Sequence, residues 1–441
     1  MTVRNDGSPA LRVLMSSLVG TTLEWYEFFV YGIAAALVFN KVFFPEFDPL
    51  IGTLLSLSTF AVAFISRPIG GVICGHFGDR IGRKRILILT LTVMGATTFA
   101  IGLLPSFATI GVAAPILLVA LRFIQGLSLG GEYSGAVLMS VEHAAPGKRG
   151  LYGAVINTGA SWGMLLGNGI FLLLSSLSDS SFAQWGWRIP FLTSAVLVFV
   201  GMYMRLHIEE SPAFAQLQEE NEVRRQPILE VLRDHRRTVL AMAFSYMING
   251  TFFYTATVFS LTYGQNHLGL HRSHVLWMVM AVTVVAVSGT LYVGWLSDRI
   301  NRKRLYLFGI AGLTVMPVAW FALFTTGSTP WMLLGFVLVY IPYCFNYGAM
   351  PTFFAYCFPA DVRYSGMGLG YTLGTVLGSA TAPIVCTFLL DRTDGWPAIA
   401  GYMAAVGVVS FIATLFLNEQ QTTSVGGPGA PSDKPSTLLA R

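Results

Sequence analysis

Charge is what this sequence most lacks: Asp, Glu, Lys and Arg make up 11% of its 441 residues, against roughly 25% in an average soluble domain. With 54% hydrophobic residues and a mean hydropathy of +0.63, a water-soluble globular domain is excluded and lipid becomes the solvent for most of the surface. Cysteine is also sparse. Cys74, Cys344, Cys357 and Cys386 fall in or at the ends of apolar runs without metal-ligand spacing, so they read as small buried residues and no metal site is expected. No histidine lies deep in an apolar run, so a proton carrier at depth has to be a carboxylate. Alternating segments of about ten residues are missing, which excludes a barrel. No nucleophile–base pair or cofactor fingerprint appears, so the chain does not read as an enzyme.

Apolar runs are abundant instead. They fall near 13–39, 50–73, 86–104, 112–139, 151–175 and 188–206, and again near 238–264, 274–296, 305–324, 331–357, 364–390 and 396–417. Each is long enough to span a bilayer as a helix, and internal Pro and Gly are tolerated there. The first run carries Glu24 and Glu27 and is too long for a cleavable signal, so it reads as a span. The expected fold is an all-α membrane protein of twelve transmembrane helices. The net charge of +5 does not point to a nucleic-acid partner. On this map Arg80, Arg83, Lys84, Arg85, Arg205, Arg299, Arg302, Lys303, Arg304 and Arg363 share one side with most other basic residues, while Lys41, Arg188, Arg272 and Arg392 lie opposite. That asymmetry is the positive-inside pattern and places both termini in the cytoplasm.

The chain repeats itself. Gly75-His-Phe-Gly-Asp79-Arg80-Ile-Gly82-Arg83-Lys-Arg85 recurs as Gly294-Trp-Leu-Ser-Asp298-Arg299-Ile-Asn301-Arg302-Lys-Arg304, offset by 219 residues (294 minus 75). Both copies join the second and third spans of their half, as parallel repeats of a transporter do. Two pseudo-symmetric six-helix halves are therefore expected at 11–206 and 238–417, with a charged cytoplasmic linker at 207–237 and a disordered tail at 418–441. Gly75, Asp79, Arg80, Arg83, Asp298, Arg299 and Arg302 are expected to form a conformational gate, because an aspartate near a helix N-terminus or a basic side chain of a facing span can latch one state.

Charged residues in hydrocarbon cost at least about 2.5–3.5 kcal/mol each and are functional candidates. Four are expected at depth: Glu24 and Glu27 in the first span, Arg122 and Glu132 in the fourth. Glu27 and Arg122 fall at depths that allow a carboxylate–guanidinium contact. Glu27, Glu24 and Glu132 are candidate proton carriers, and Arg122 with Gln125 a candidate substrate anchor. Neutral polar candidates for the same site are Asn157 and Ser161 on the fifth span, Tyr343, Asn346 and Tyr347 on the tenth, and Asn249, Tyr254 and Tyr371; helix–helix hydrogen bonding is the alternative role for each. Gly126 with Gly130 and Gly131 with Gly135 read as close-packing pairs. His267, His271 and His274 have helical spacing in an external loop but lack a carboxylate or cysteine beside them, so no metal site is expected there.

With these motifs the sequence resembles the major facilitator superfamily over about residues 11–417. Gly75 to Arg85 matches its G-x-x-x-D-R-x-G-R-[KR] loop, with Asn301 replacing Gly in the second copy. Arg122-Phe-Ile-Gln125-Gly126-Leu-Ser-Leu-Gly130 resembles its fourth-span motif. Gly20-Thr-Thr-Leu-Glu24-Trp-Tyr-Glu27-Phe-Phe-Val-Tyr31-Gly32 is similar to the first span of the metabolite:proton symporters, which usually have Asp where Glu27 stands. Gly130-Gly-Glu132-Tyr133, Glu209-Glu-Ser-Pro212 and Val362-Arg-Tyr-Ser-Gly366 resemble that group too. The resemblance implies proton-coupled uptake of a small organic acid or zwitterion, such as a dicarboxylate, citrate, shikimate, an aromatic acid or a betaine. It further implies alternating access in a bacterial inner membrane, with no cofactor beyond the proton gradient and a functional monomer. A drug exporter of the same fold and a non-transporting membrane sensor are the rival expectations.

Overall fold

The computed structural model describes residues 9–47, 49–174, 177–219, 227–260, 263–264, 267–270 and 272–420. Within them twelve long helices follow one another. The first six are α1 (Pro9–Ala34), α2 (Pro49–Ile81), α3 (Arg83–Leu103), α4 (Ala113–His143), α5 (Arg149–Leu174) and α6 (Ile189–Leu206). The second six are α7 (Arg236–Tyr254), α8 (Arg272–Ser297), α9 (Arg302–Phe324), α10 (Thr329–Ala355), α11 (Arg363–Thr375, running on to Thr393) and α12 (Trp396–Leu415). No strand occurs among the described residues. Short helices Pro212–Glu219 and Pro227–Asp234 lie between the halves. The linker residues Glu220, Glu222, Arg224 and Arg225, the histidine His271 and the tail beyond residue 420 fall outside the described residues.

Nine of the twelve helices carry an apolar stretch long enough to cross a membrane. The three that do not are α1, α5 and α7, which hold Glu24 and Glu27, Asn157, and Asn249. These are helices through which the halves meet. Trp25 of α1 packs edge-on against Phe253 of α7 at 5.7 Å, and α5 packs on α8 and α10. The outer faces of α3, α6, α9 and α12 instead expose Leu89, Phe199, Val315 and Ile412, an apolar surface suited to lipid.

Two departures from regular α-helix recur in register. A π-turn at Ala35–Phe39 extends α1 and another at Thr255–Phe259 extends α7. Their starts are 220 residues apart (255 minus 35), within one residue of the sequence repeat. A third π-turn, Val376–Ala380, interrupts α11.

Helices α2 and α4 approach closely through glycine. A Cβ added at Gly70 would lie 1.9 Å from the carbonyl oxygen of Leu127, and one at Gly130 would lie 2.2 Å from that of Arg67. The contact is backbone on backbone, as small-residue helix pairs in membranes allow. Gly70→Ala is therefore expected to destabilise the protein by about 1–3 kcal/mol through overpacking. Thermal unfolding in detergent checks this against Gly169→Ala, whose added Cβ meets nothing within 4 Å and which should unfold as wild type does.

Candidate functional site

Away from the repeated loops, the charges buried in the first half sort into three groups, and α1 feeds two of them. Glu24 and Glu27 stand three residues apart yet diverge to different neighbours. Glu24 Oε1 accepts a hydrogen bond from Arg67 Nη2 of α2 at 3.0 Å. Glu27 Oε2 accepts from Thr98 Oγ1 of α3 at 2.5 Å and from Gln125 Nε2 of α4 at 3.2 Å. Gln125 Oε1 in turn accepts from Arg122 Nη1 at 2.6 Å. The expected direct contact between Glu27 and Arg122 is thus replaced by a bridge. The Arg122 guanidinium lies 4.0 Å over the Tyr31 ring, with Phe28 and Phe60 at 5.4 and 5.3 Å, and Gln125 fills the gap. Arg122 Nε and Nη2 and Glu27 Oε1 are buried with no hydrogen-bond partner.

The third group is closed. Both carboxylate oxygens of Glu132 are engaged by Arg205 of α6, and Thr90 adds a bond at 2.9 Å. Arg205 is 1% exposed, so it belongs to this pair and not to the solvated basic surface where its place in the sequence had put it. Glu132, expected as a proton carrier, is held as one side of an ion pair. Arg67 is the residue that sequence reasoning missed. It is 2% exposed, and the available signal was an arginine inside the apolar run 50–73, next to Pro68.

Between the halves lies an aromatic layer. Phe28 and Phe64 of the first half meet Tyr254 of the second at 6.5 and 5.9 Å, and Tyr133 of α4 stacks on Tyr371 of α11 at 4.1 Å. Asn157 accepts from Tyr133 Oη at 2.9 Å and donates to the Tyr347 carbonyl at 2.6 Å, tying α4, α5 and α10 together. A cavity of about 20 Å³ remains beside it, lined by Asn157, Ser161, Tyr343 and Tyr347 among others. That is room for roughly one water. Asn249 and Asn346 stand apart from this cavity and bond each other at 2.6 Å within the second half. Of the expected substrate contacts, the structure brings Asn157, Ser161, Tyr343 and Tyr347 together, places Tyr254 and Tyr371 in the aromatic contacts beside them, and leaves Asn249 and Asn346 as a helix–helix link.

The repeated loops form two latches at one end of the bundle. The Asp79 carboxylate accepts the backbone N–H groups of Tyr364 and Ser365 at 3.2 and 2.8 Å, in the first turn of α11. The Asp298 carboxylate accepts those of Gly150 and Leu151 at 2.7 and 3.1 Å, in the first turn of α5. Each aspartate caps a helix of the other half, using the unpaired donors and positive end of a helix N-terminus. Gly75 and Gly294 permit the approach: a Cβ would meet Ser365 Cα at 2.7 Å and Ala154 Cβ at 2.2 Å, respectively. Arg83 and Arg363 are both bound by Glu142, which adds a further tie across the halves. Arg302 bonds Glu419 at 3.4 Å; burial pushes the Glu419 carboxyl up from its ordinary value while Arg302 opposes the shift. Arg80 and Arg299 are exposed, and Arg299, in the turn after α8, stacks back on Trp295 at 3.6 Å, so neither joins the latches.

Among the differences between the two loops, Gly82 against Asn301 has a reason that the backbone supplies. Gly82 has φ 110°, and Glu210 reaches in to cap α3 by accepting from the N–H groups of Arg83 and Lys84 at 3.1 and 3.2 Å. Asn301 has φ −55° and caps α9 itself, its side chain accepting from Arg304 N–H at 3.0 Å. Asp79→Asn keeps the shape of its latch but removes the charge, weakening the closed state by about 1–2 kcal/mol. Solute flux in proteoliposomes should fall severalfold while equilibrium binding stays within a few fold. Abolished binding in a correctly inserted variant would contradict a purely gating role.

Comparison with known proteins accords with this architecture. The family model of the Major Facilitator Superfamily matches residues 10–376 and 265–439. The inner membrane metabolite transport protein YhjE of Escherichia coli K12 is 40% identical, over 94% of this chain and 95% of that protein. The shikimate transporter of the same organism is 39% identical over 94% and 96%, and the proline/betaine transporter of Salmonella typhimurium is 31% identical over 97% and 87%. Among solved structures, the proton:xylose symporter XylE bound to 6-bromo-6-deoxy-D-glucose superposes with a TM-score of 0.75 at 16% identity, covering 93% of this chain and 95% of that one. The relatives, the twelve helices and the paired latches agree: the chain is a multi-pass membrane transporter of the Major Facilitator Superfamily.

Proposed function

We propose that this transporter imports a small organic acid or zwitterionic metabolite together with protons, by alternating access across a bacterial inner membrane. Both termini and the two latches then face the cytoplasm, in keeping with the basic loops on that side. The observation that carries the reading is Glu27. It is a carboxylate at bilayer depth with one oxygen hydrogen-bonded and the other unpartnered, joined through Gln125 to a fixed positive charge at Arg122. Such a group can gain or lose a proton as the charge around it changes. Relatives named for shikimate and for proline and betaine support a compact substrate bearing a carboxylate. For a zwitterion carried with one proton, the one charge moved through 100 mV releases about 2.3 kcal/mol, equivalent to roughly fifty-fold accumulation.

Glu27→Gln removes the proton site and keeps the hydrogen bonds with Thr98 and Gln125 within reach. The variant should retain counterflow exchange, which needs no net proton movement, and lose accumulation driven by a pH gradient. Both assays are run on the same reconstituted protein with a radiolabelled panel of shikimate, benzoate, succinate and glycine betaine. Gradient-driven accumulation that survives the substitution with unchanged pH dependence places coupling elsewhere. Ligand binding by wild type without flux points to a sensor, and net expulsion of label to an exporter.

A further inference from the structure

Arg67 and Glu24 form a charge pair beside Phe28 and Phe64 of the aromatic layer between the halves. Their side chains are 3% and 2% exposed, and a single bond of 3.0 Å joins them. Arg67 Nε and Glu24 Oε2 are buried with no hydrogen-bond partner. Guanidinium and carboxylate match best as a two-pronged fork, and here one prong on each side is unused. A half-satisfied buried pair is costly, so it is poised to rearrange when a better partner arrives.

The rings beside the pair reach the other half: Phe28 and Phe64 meet Tyr254 of α7 at 6.5 and 5.9 Å. Tyr371 is sandwiched between Tyr133 at 4.1 Å and Tyr246 at 4.9 Å, and Phe28 and Phe64 flank the guanidinium at 5.3 and 5.6 Å. The rings beside both arginines, Phe28 and Phe64 at Arg67 and Phe28, Tyr31 and Phe60 at Arg122, come from the first half.

We propose that Arg67 anchors the substrate's carboxylate and that Glu24, displaced from Arg67, takes up a proton as the acid binds. The inference rests on the symport reading above and names its substrate class: a monocarboxylate on a compact ring or planar skeleton. Charge balance selects one carboxylate. The empty pair is neutral, and a monoanion plus one proton keeps it neutral, whereas a dianion leaves a negative charge uncompensated in a low-dielectric site. Flat aromatic faces on both sides of the pair select the skeleton.

The other charged groups facing Glu24 do not offer it a substitute partner. They are Glu27 on its own helix and the Glu132–Arg205 pair from α4 and α6. Arg205 is already engaged by both oxygens of Glu132, and Glu27 adds negative charge. The groups that α4, α7 and α10 bring near it, Tyr133, Tyr246, Tyr254 and Tyr347, are phenols. A Glu24 that has lost Arg67 is therefore neutralised by a proton.

The test is calorimetric titration of the purified full-length protein with benzoate, shikimate, succinate and glycine betaine, in two buffers of different ionisation heat. The expected result is binding of a monocarboxylate with uptake of about one proton per site in wild type. Arg67→Lys should weaken that binding at least about tenfold, since lysine cannot supply the fork, while Arg122→Lys leaves it within a few fold. Glu24→Gln should bind at least as tightly, with no proton uptake. The doubly neutral Glu24→Gln/Arg67→Gln variant should unfold thermally like wild type and bind no acid, which separates loss of the site from loss of the fold. Binding lost in Arg122→Lys and kept in Arg67→Lys overturns the assignment. So does proton uptake that persists in Glu24→Gln, or betaine binding through Arg67 with no proton taken up. Acid binding with the expected dependence on Arg67 and Glu24, but no flux of the same acid in proteoliposomes, upholds the charge clamp and refutes the symport reading instead.

Discussion

A charge sealed away from water must have a partner, and this constraint organises the first half of the transporter. Its three mid-depth groups satisfy it to different degrees. Glu132 and Arg205 saturate each other, so the pair behaves as a fixed strut between α4 and α6. Glu27 with Arg122, and Glu24 with Arg67, each leave polar atoms unused. Saturated pairs resist change and unsaturated pairs invite it, so the capacity to respond to a proton or an anion resides in α1 and its neighbours α2 and α4.

The second half is built to a different rule. Residues 238–271, 275–297, 305–360 and 364–390 contain no Asp, Glu, Lys or Arg. It meets the charged half with tyrosine and phenylalanine faces and holds its own helices with neutral bonds such as Asn249 to Asn346. Pseudo-symmetry is kept at the latches, where Asp79 and Asp298 grip opposite helices in the same way, and abandoned at the centre. One half carries the charge chemistry and the other supplies shape. A rocking motion that separates them exposes the charged groups to water without moving them relative to one another.

Much of this was legible in the sequence because it rests on strong local signals. Twelve apolar runs, a repeated basic loop and two carboxylates in a first span are visible without any tertiary knowledge. The latch chemistry was legible for the same reason, since an aspartate before a basic turn has few other uses. What escaped were partners. Arg67 sits beside a proline in an apolar run, and its significance depends on Gly70 letting α2 lie against α4, so that the guanidinium reaches α1. Arg205 looks like an ordinary basic residue at a span end until α6 is packed on α4. The Glu27–Arg122 contact was expected from depth alone, whereas side-chain direction put Gln125 between them. The periodicity of a sequence reports which face a residue occupies; it does not report which neighbour arrives at that face.

The π-turns at Ala35–Phe39 and Thr255–Phe259 give the two halves matching joints. A π-turn holds one residue more than the α-turn it replaces, and passing that residue along the helix turns everything beyond it by about 100°. Both joints lie past the polar stretch of their helix, on the side away from the latches. The tips of α1 and α7 away from the latches are therefore free to swivel while Glu24, Glu27 and Asn249 keep their packing. The two ends of the bundle thus carry different mechanical elements, a pair of joints at one and a pair of clasps at the other. Under the proposed alternating access, a solute between them would be enclosed from both sides before either is released.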